Sequence, residues 1–164
     1  MKKFILALIV ALPLSAFAQK FAHFNSSDII QAMPEYNAAM ADMQTKSKMY
    51  EDELQRMQEE LQTKAADYDK NAATMVDAVK QRREQELNTL QQNLQQYYQQ
   101  SQQELQTLQQ QKMKEISDKV QAAVKQVGDA GGYVYIMDVA SGIPYISSTL
   151  STDVTSQVKA KLTK

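Results

Sequence analysis

The chain has 164 residues, a formal charge of −1, 43% hydrophobic residues and no cysteine. Without cysteine it has no disulfide scaffold, no thiolate metal centre and no thiol redox chemistry, so its stability has to come from packing. The near-balanced charge also excludes the broad basic footprint that a nucleic-acid partner demands.

The first eighteen residues, MKKFILALIVALPLSAFA, place Lys2 and Lys3 ahead of an apolar run from Phe4 to Leu14, with the small residues Ala16 and Ala18 around Phe17. That order predicts a secretory signal peptide cleaved before Gln19. The apolar run is about half of the roughly 20 residues a membrane span needs, which argues against a retained anchor. A soluble, exported chain of about 146 residues is expected, and loss of the two lysines leaves 16 basic against 19 acidic residues, a charge of −3.

Lys20 to Asn25 reads as a short strand, and Asn25 or Ser26 can cap a helix beginning near Asp28, whose carboxylate suits the positive end of that helix. Pro34 kinks this helix or restarts it. Between Glu35 and Val127 there is neither Gly nor Pro, although the chain has four Gly and three Pro. A window that long without a breaker is not an ordinary globular domain.

Apolar spacing gives the window its type. Met33, Tyr36, Met40, Met43, Ser47, Tyr50, Leu54, Met57, Leu61, Lys64 and Tyr68 step by threes and fours, which predicts a heptad seam on a long helix. Asp69-Lys70-Asn71 can end that helix. Thr74-Met75-Val76-Asp77 has the form of an N-terminal cap for a second arm from about Met75 to Val127. The expectation is an antiparallel helical hairpin with its tip near 69–79, and the alternative is one continuous helix.

On the second arm Leu87, Leu90, Leu94, Tyr97, Ser101, Leu105 and Leu108 continue the stripe. It then shifts by five to Met113 and resumes through Ile116, Val120, Ala123 or Val124, and Val127. Residues 81–111 hold 14 Gln, mostly off the stripe. Sustained Leu at helical period argues for a helix here over a disordered glutamine tract.

Gly128 and Gly131-Gly132 are expected to end the second arm. Tyr133 to Val139 is aromatic and β-branched, Ser141-Gly142 turns, and Ile143 to Ser147 reads as a further strand. Asp153 to Leu162 fits a short amphipathic helix with Val154, Val158 and Leu162 on one face. Residues 19–34 and 128–164 would then make one small β/α body, with the hairpin 35–127 inserted in it.

The residues offer little for catalysis. His23 is the single histidine, and its strand position reads as packing or a strand edge. Glu51, Asp52, Glu53, Glu59 and Glu60 read as a solvated helix face rather than an acid/base pair. Asp138 to Gly142 lacks the following helix of a nucleophile elbow. Neither a phosphate loop nor metal-ligand spacing occurs. No enzyme, no cofactor and no metal site are expected.

Lys80, Arg82 and Arg83 form the one compact basic cluster, close to the expected tip. They read either as a helix face balanced by Glu84 and Glu86 or as a contact for an anionic ligand or an acidic membrane surface. Met and Tyr along the arms fill the seam or add adaptable contact surface.

A signal peptide, a strand running into Asn25-Ser26-Ser27-Asp28-Ile29-Ile30, a Gly-free hairpin, and Tyr135-Ile136-Met137-Asp138-Val139 followed by a turn, Pro144-Tyr145-Ile146-Ser147 and a helix together resemble the Skp/OmpH family of periplasmic chaperones. The resemblance covers Lys20 to Leu162. It implies an α+β fold and a homotrimer whose strands build a shared β-barrel, with three helical hairpins as tentacles around a cavity. It also implies an ATP-independent holdase function, which keeps unfolded outer-membrane β-barrel proteins from aggregating.

On that reading Phe21, Phe24, Val134 and Ile136 serve trimerisation, and Met49, Met75, Val76, Val79 and Tyr98 contact clients. Lys80, Arg82 and Arg83 are the anionic-contact candidates. Skp-like chaperones are typically basic and this chain is not, so apolar and hydrogen-bonding capture is expected over electrostatic capture. A body of about 50 residues is marginal alone, which independently favours self-association through strand edges. The competing class is a periplasmic coiled-coil spacer or adaptor docking on one fixed partner.

Overall fold

The computed structural model describes residues 19–163, so the expected signal peptide lies outside the described residues. The described chain is mostly helical with one small sheet. In order it forms β1 (Lys20–Phe24), α1 (Ser26–Ala32), α2 (Pro34–Asn71), a 3-10 turn (Ala72–Thr74), α3 (Asp77–Gly131), β2 (Tyr133–Asp138), a second 3-10 turn (Val139–Ser141), β3 (Ser151–Asp153) and α4 (Thr155–Leu162). It divides into two compact units, 19–32 with 117–163, and 33–116.

In the first unit the three strands run parallel in the order β2-β1-β3. Phe21 pairs with Tyr135 and Ser151, and His23 with Met137 and Asp153. His23 therefore sits on the central strand, its Nδ1 2.9 Å from Ser151 Oγ. Ala22, Phe24, Ile29, Val120, Ala123, Val127, Val154 and Val158 form the buried apolar set of this unit. Strand alternation explains it, since Ala22 and Phe24 face one side of the sheet while Phe21 and His23 face the other.

Caps fix the helix starts. Asn25 Oδ1 accepts from the backbone N–H groups of Ser27 (3.1 Å) and Asp28 (3.3 Å), so Asn25, not Ser26, caps α1. Pro34 restarts the helix as the first residue of α2. Asp153 Oδ1 accepts from Thr155 N–H at 2.9 Å, which starts α4 two residues later than its apolar pattern suggested.

Two further expectations are corrected here. Gly128 does not end the second arm, because α3 continues to Gly131 and the chain turns at Gly132 with φ 64°. The strand expected over Ile143 to Ser147 is absent. Pro144 supplies no N–H to a ladder, and Ser147 Oγ accepts instead from Thr149 and Leu150 N–H, closing a turn. The third strand falls at Ser151–Asp153.

In the second unit, interhelix partners step in opposite directions along α2 and α3. Asp42 meets Lys112 at 3.2 Å, Tyr50 bonds Glu104, Lys64 bonds Glu86, and Tyr68 bonds Glu84. The two helices therefore run past one another in opposite senses. At the reversal, the Thr74 hydroxyl donates to Asn71 C=O at 3.0 Å, so it closes α2 rather than capping α3. The first backbone bonds of α3 run instead to Val76 C=O, from Val79 (2.9 Å) and Lys80 (3.1 Å).

Candidate functional site

The hairpin unit is held by a thin seam. Met43, Ser47, Tyr50, Leu54, Met57, Leu61, Lys64 and Tyr68 are half-buried, as their spacing predicts. Near the start of α2, however, Ala39 is buried and Met40 exposed. On α3 Ser101 is buried in the seam. The expected shift of five to Met113 is replaced by two steps of four, from Leu108 to the half-buried Lys112 and the buried Ile116, leaving Met113 exposed. Lysine can take this place because its stem covers apolar surface while its ammonium reaches Asp42.

Polar ties reinforce the seam. The Tyr50 hydroxyl donates to Glu104, which with partial desolvation pushes the phenol up to about 12. Tyr68 is likewise pushed up to about 12 by its bond to Glu84. In return Tyr50 and Gln100 hold Glu104 below the usual carboxylate range. Lys64, then Arg83, does the same for Glu86. The Tyr50 ring meets Tyr97 edge-on at 6.1 Å.

The proposed client-contact residues separate by exposure. Met49, Val76 and Tyr98 are 61%, 67% and 53% exposed, so they lie outside the seam. Met75 and Val79 are half-buried at the reversal. The basic triplet is also divided, with Lys80 and Arg82 exposed and Arg83 half-buried and bonded to Glu86 at 3.2 Å. Adjacency in sequence put these three cations together, whereas the helical turn gives Arg83 a different surround.

The first unit carries a second surface. Phe21, Tyr135, Met137, Tyr145, Ile146 and Leu150 line a groove of about 190 Å3 beside the central strand, with Ala22 also in its wall. The Phe21 and Tyr135 rings stack at 6.4 Å and 6°. Of the residues expected to serve trimerisation, only Phe21 is on this groove. Phe24 is 8% exposed and belongs to the core of the single chain, Ile136 is half-buried, and Val134 is exposed.

Sequence reasoning missed Tyr135, Met137, Tyr145 and Leu150 for a physical reason. Tyr133 to Met137 is apolar or aromatic at every position, so alternation could not choose a face. Among the described residues no group of His, Asp or Glu is placed to hold a metal ion. No helix among them is long and apolar enough to cross a membrane.

A small parallel sheet joined to a pair of oppositely running long helices can be compared with known proteins as a whole. The profile of the family described as OmpH, outer membrane protein (OmpH-like), matches residues 20–162. The chain belongs to the OmpH family. It is 39% identical over 166 residues to the proteins named Chaperone protein Skp of Yersinia pseudotuberculosis serotype I (strain IP32953) and Yersinia pestis, covering 97% of this chain and 100% of theirs. The fold is also that of the crystal structure described as an outer membrane chaperone (OmpH-like) from Caulobacter crescentus CB15, with a TM-score of 0.75. That match covers 88% of this chain and 83% of the other at 18% identity, so it speaks to the OmpH fold alone.

Proposed function

We propose that this OmpH-family protein is an ATP-independent holdase of the periplasm, which binds unfolded outer-membrane β-barrel proteins and keeps them from aggregating before insertion. The observation that carries the reading is the placement of Met49, Val76 and Tyr98, like Met40 and Met113, on the outside of the hairpin. Apolar side chains that contribute nothing to the seam are available to a partner. Their scatter suits weak contact at many points rather than one deep pocket.

The protein acts as a homotrimer, its protomers joined through the sheets into a shared barrel and its antiparallel hairpins enclosing the client. The uncovered apolar groove of Phe21, Tyr135, Met137 and Leu150 supports this reading, because a second protomer laid there would remove it from water.

The test is dilution of a urea-denatured outer-membrane β-barrel protein into buffer with and without the chain, followed by light scattering. Suppression of scattering at about three chains per client, without nucleotide, is the expected result. Undiminished scattering at a several-fold excess of folded chain would overturn the reading.

A further inference from the structure

Residues from both hairpin helices, among them Tyr50 of α2 and Gln103, Thr107 and Gln111 of α3, line an open cleft of about 420 Å3, with Leu105 and Leu108 as its apolar lining. Gln103, Thr107 and Gln111 are successive i, i+4 neighbours and form one row along α3. At 1.5 Å per residue their spacing along the axis is about 6 Å. One edge of an extended polypeptide repeats its N–H and C=O groups every second residue, about 6.6 Å. The two periods agree to within the reach of a glutamine side chain.

The chemistry matches as well as the spacing. A glutamine carboxamide carries one acceptor and two donor hydrogens, so it can bond either backbone group of a chain laid beside it. Gln100, in the same cleft, is held by Glu104 at 3.0 Å, whereas Gln103 and Gln111 are exposed. The Thr107 hydroxyl donates to Gln103 C=O at 2.9 Å and keeps its lone pairs for an incoming N–H.

We propose that this row is a subsite for the backbone of an extended, unfolded polypeptide, gripped through amide hydrogen bonds without regard to side-chain sequence, while Leu105 and Leu108 receive an apolar side chain. The proposal rests on the holdase reading and adds the chemistry by which a client is held. It gives the Gln-rich arm a role that neither charge nor helix propensity requires. Each such bond is weak against water, so a short ladder holds a segment reversibly and selects unfolded chains, whose backbone is free, over folded ones.

The test uses a fluorescein-labelled decapeptide alternating Leu and Ser, and the same peptide N-methylated at every backbone amide. Both are titrated by fluorescence anisotropy against the wild-type chain and a Gln103→Leu/Gln111→Leu variant, with scattering suppression measured on the same samples. The wild-type chain should bind the unmodified peptide about tenfold more tightly than the methylated one, and the variant should reduce that preference below about twofold at unchanged helix content. Leucine is a strong helix former, so the variant should fold, and the two-peptide comparison on the wild-type chain needs no variant. Equal binding of both peptides by the wild type, or an undiminished preference in the variant, overturns the proposal. If scattering is still suppressed in that case, the holdase reading stands and the backbone subsite alone falls. If neither peptide binds and scattering is not suppressed, both fall.

Discussion

The Asp138 carboxylate accepts a hydrogen bond from the Ser26 backbone N–H at 3.1 Å, across 112 residues of sequence. The same oxygen accepts from Ala140 N–H at 3.0 Å. One side chain thus ties the end of β2 to the first turn of α1 and starts the 3-10 turn after it. Asp138→Ala should lower stability by about 1–2 kcal/mol, as loss of a helix cap does, and Asp138→Asn by less because it keeps an acceptor. Urea denaturation followed by circular dichroism measures this. An unchanged midpoint in the alanine variant would mean that the contact carries no stability.

The hairpin should be most stable across neutral pH and weaken on both sides. Glu86 and Glu104 are held below their ordinary range by Lys64 and Tyr50 first. Because their folded values lie below the unfolded ones, near pH 4.3, their stabilisation is complete above that range and lost as pH falls through the lower folded values. Tyr50 and Tyr68 behave oppositely, each raised to about 12 by its carboxylate partner. Their contribution is complete below an ordinary tyrosine value of about 10 and is lost as pH rises through about 12. Ultraviolet titration of the eight tyrosines should therefore contain a late step that Tyr50→Phe and Tyr68→Phe each diminish. A single step near pH 10 would contradict the hydrogen bonds.

At the end of α3 the two adjacent glycines serve different needs. A Cβ on Gly131 would stand 2.2 Å from Tyr133 Cε2, and Gly132 has φ 64°. Gly132→Ala should cost about 1 kcal/mol through its backbone conformation alone. In Gly131→Ala the displaced Tyr133 ring opposes a helix-propensity gain of up to about 1 kcal/mol. The substitution should destabilise the wild type and stabilise a Tyr133→Ala background. That change of sign, read in a double-mutant cycle, is the measurement. Equal effects in both backgrounds would acquit the ring.

Long-range periodicity was the readable part of this sequence. Steps of three and four over residues 43–68 and 87–108 follow from helix geometry alone, and the half-buried seam obeys them. They failed where a charged residue was not credited with an apolar stem, as at Lys112. They failed again where a smaller neighbour took the buried place, as Ala39 did from Met40. The sheet was less readable, because a strand's face is chosen by the register of its partner. β2 is apolar on both sides, and β3 is a polar Ser-Thr-Asp segment that becomes a strand only by pairing with β1. The capping role of Asp138 depends on a contact across 112 residues and leaves no local signal.

Two neighbours on β2 separate folding from association. Ile136 lies on the inner face, its Cδ1 3.4 Å from where a Cβ on Gly128 would sit, while Tyr135 is 61% exposed and stacks on Phe21. A charge on the inner face meets the core of the chain itself, whereas a charge at position 135 lies largely in solvent in the single chain and would oppose the burial that the proposed assembly requires. Ile136→Asp should therefore unfold the first unit, with loss of ellipticity at any concentration. Tyr135→Glu should leave the circular dichroism spectrum intact, because the Tyr135 side chain is largely exposed. Sedimentation should then find the wild type as a trimer at micromolar concentration and Tyr135→Glu as a folded monomer. A Tyr135→Glu protein that still sediments as a trimer would remove this sheet face from the assembly, and a folded wild-type monomer would remove the assembly itself.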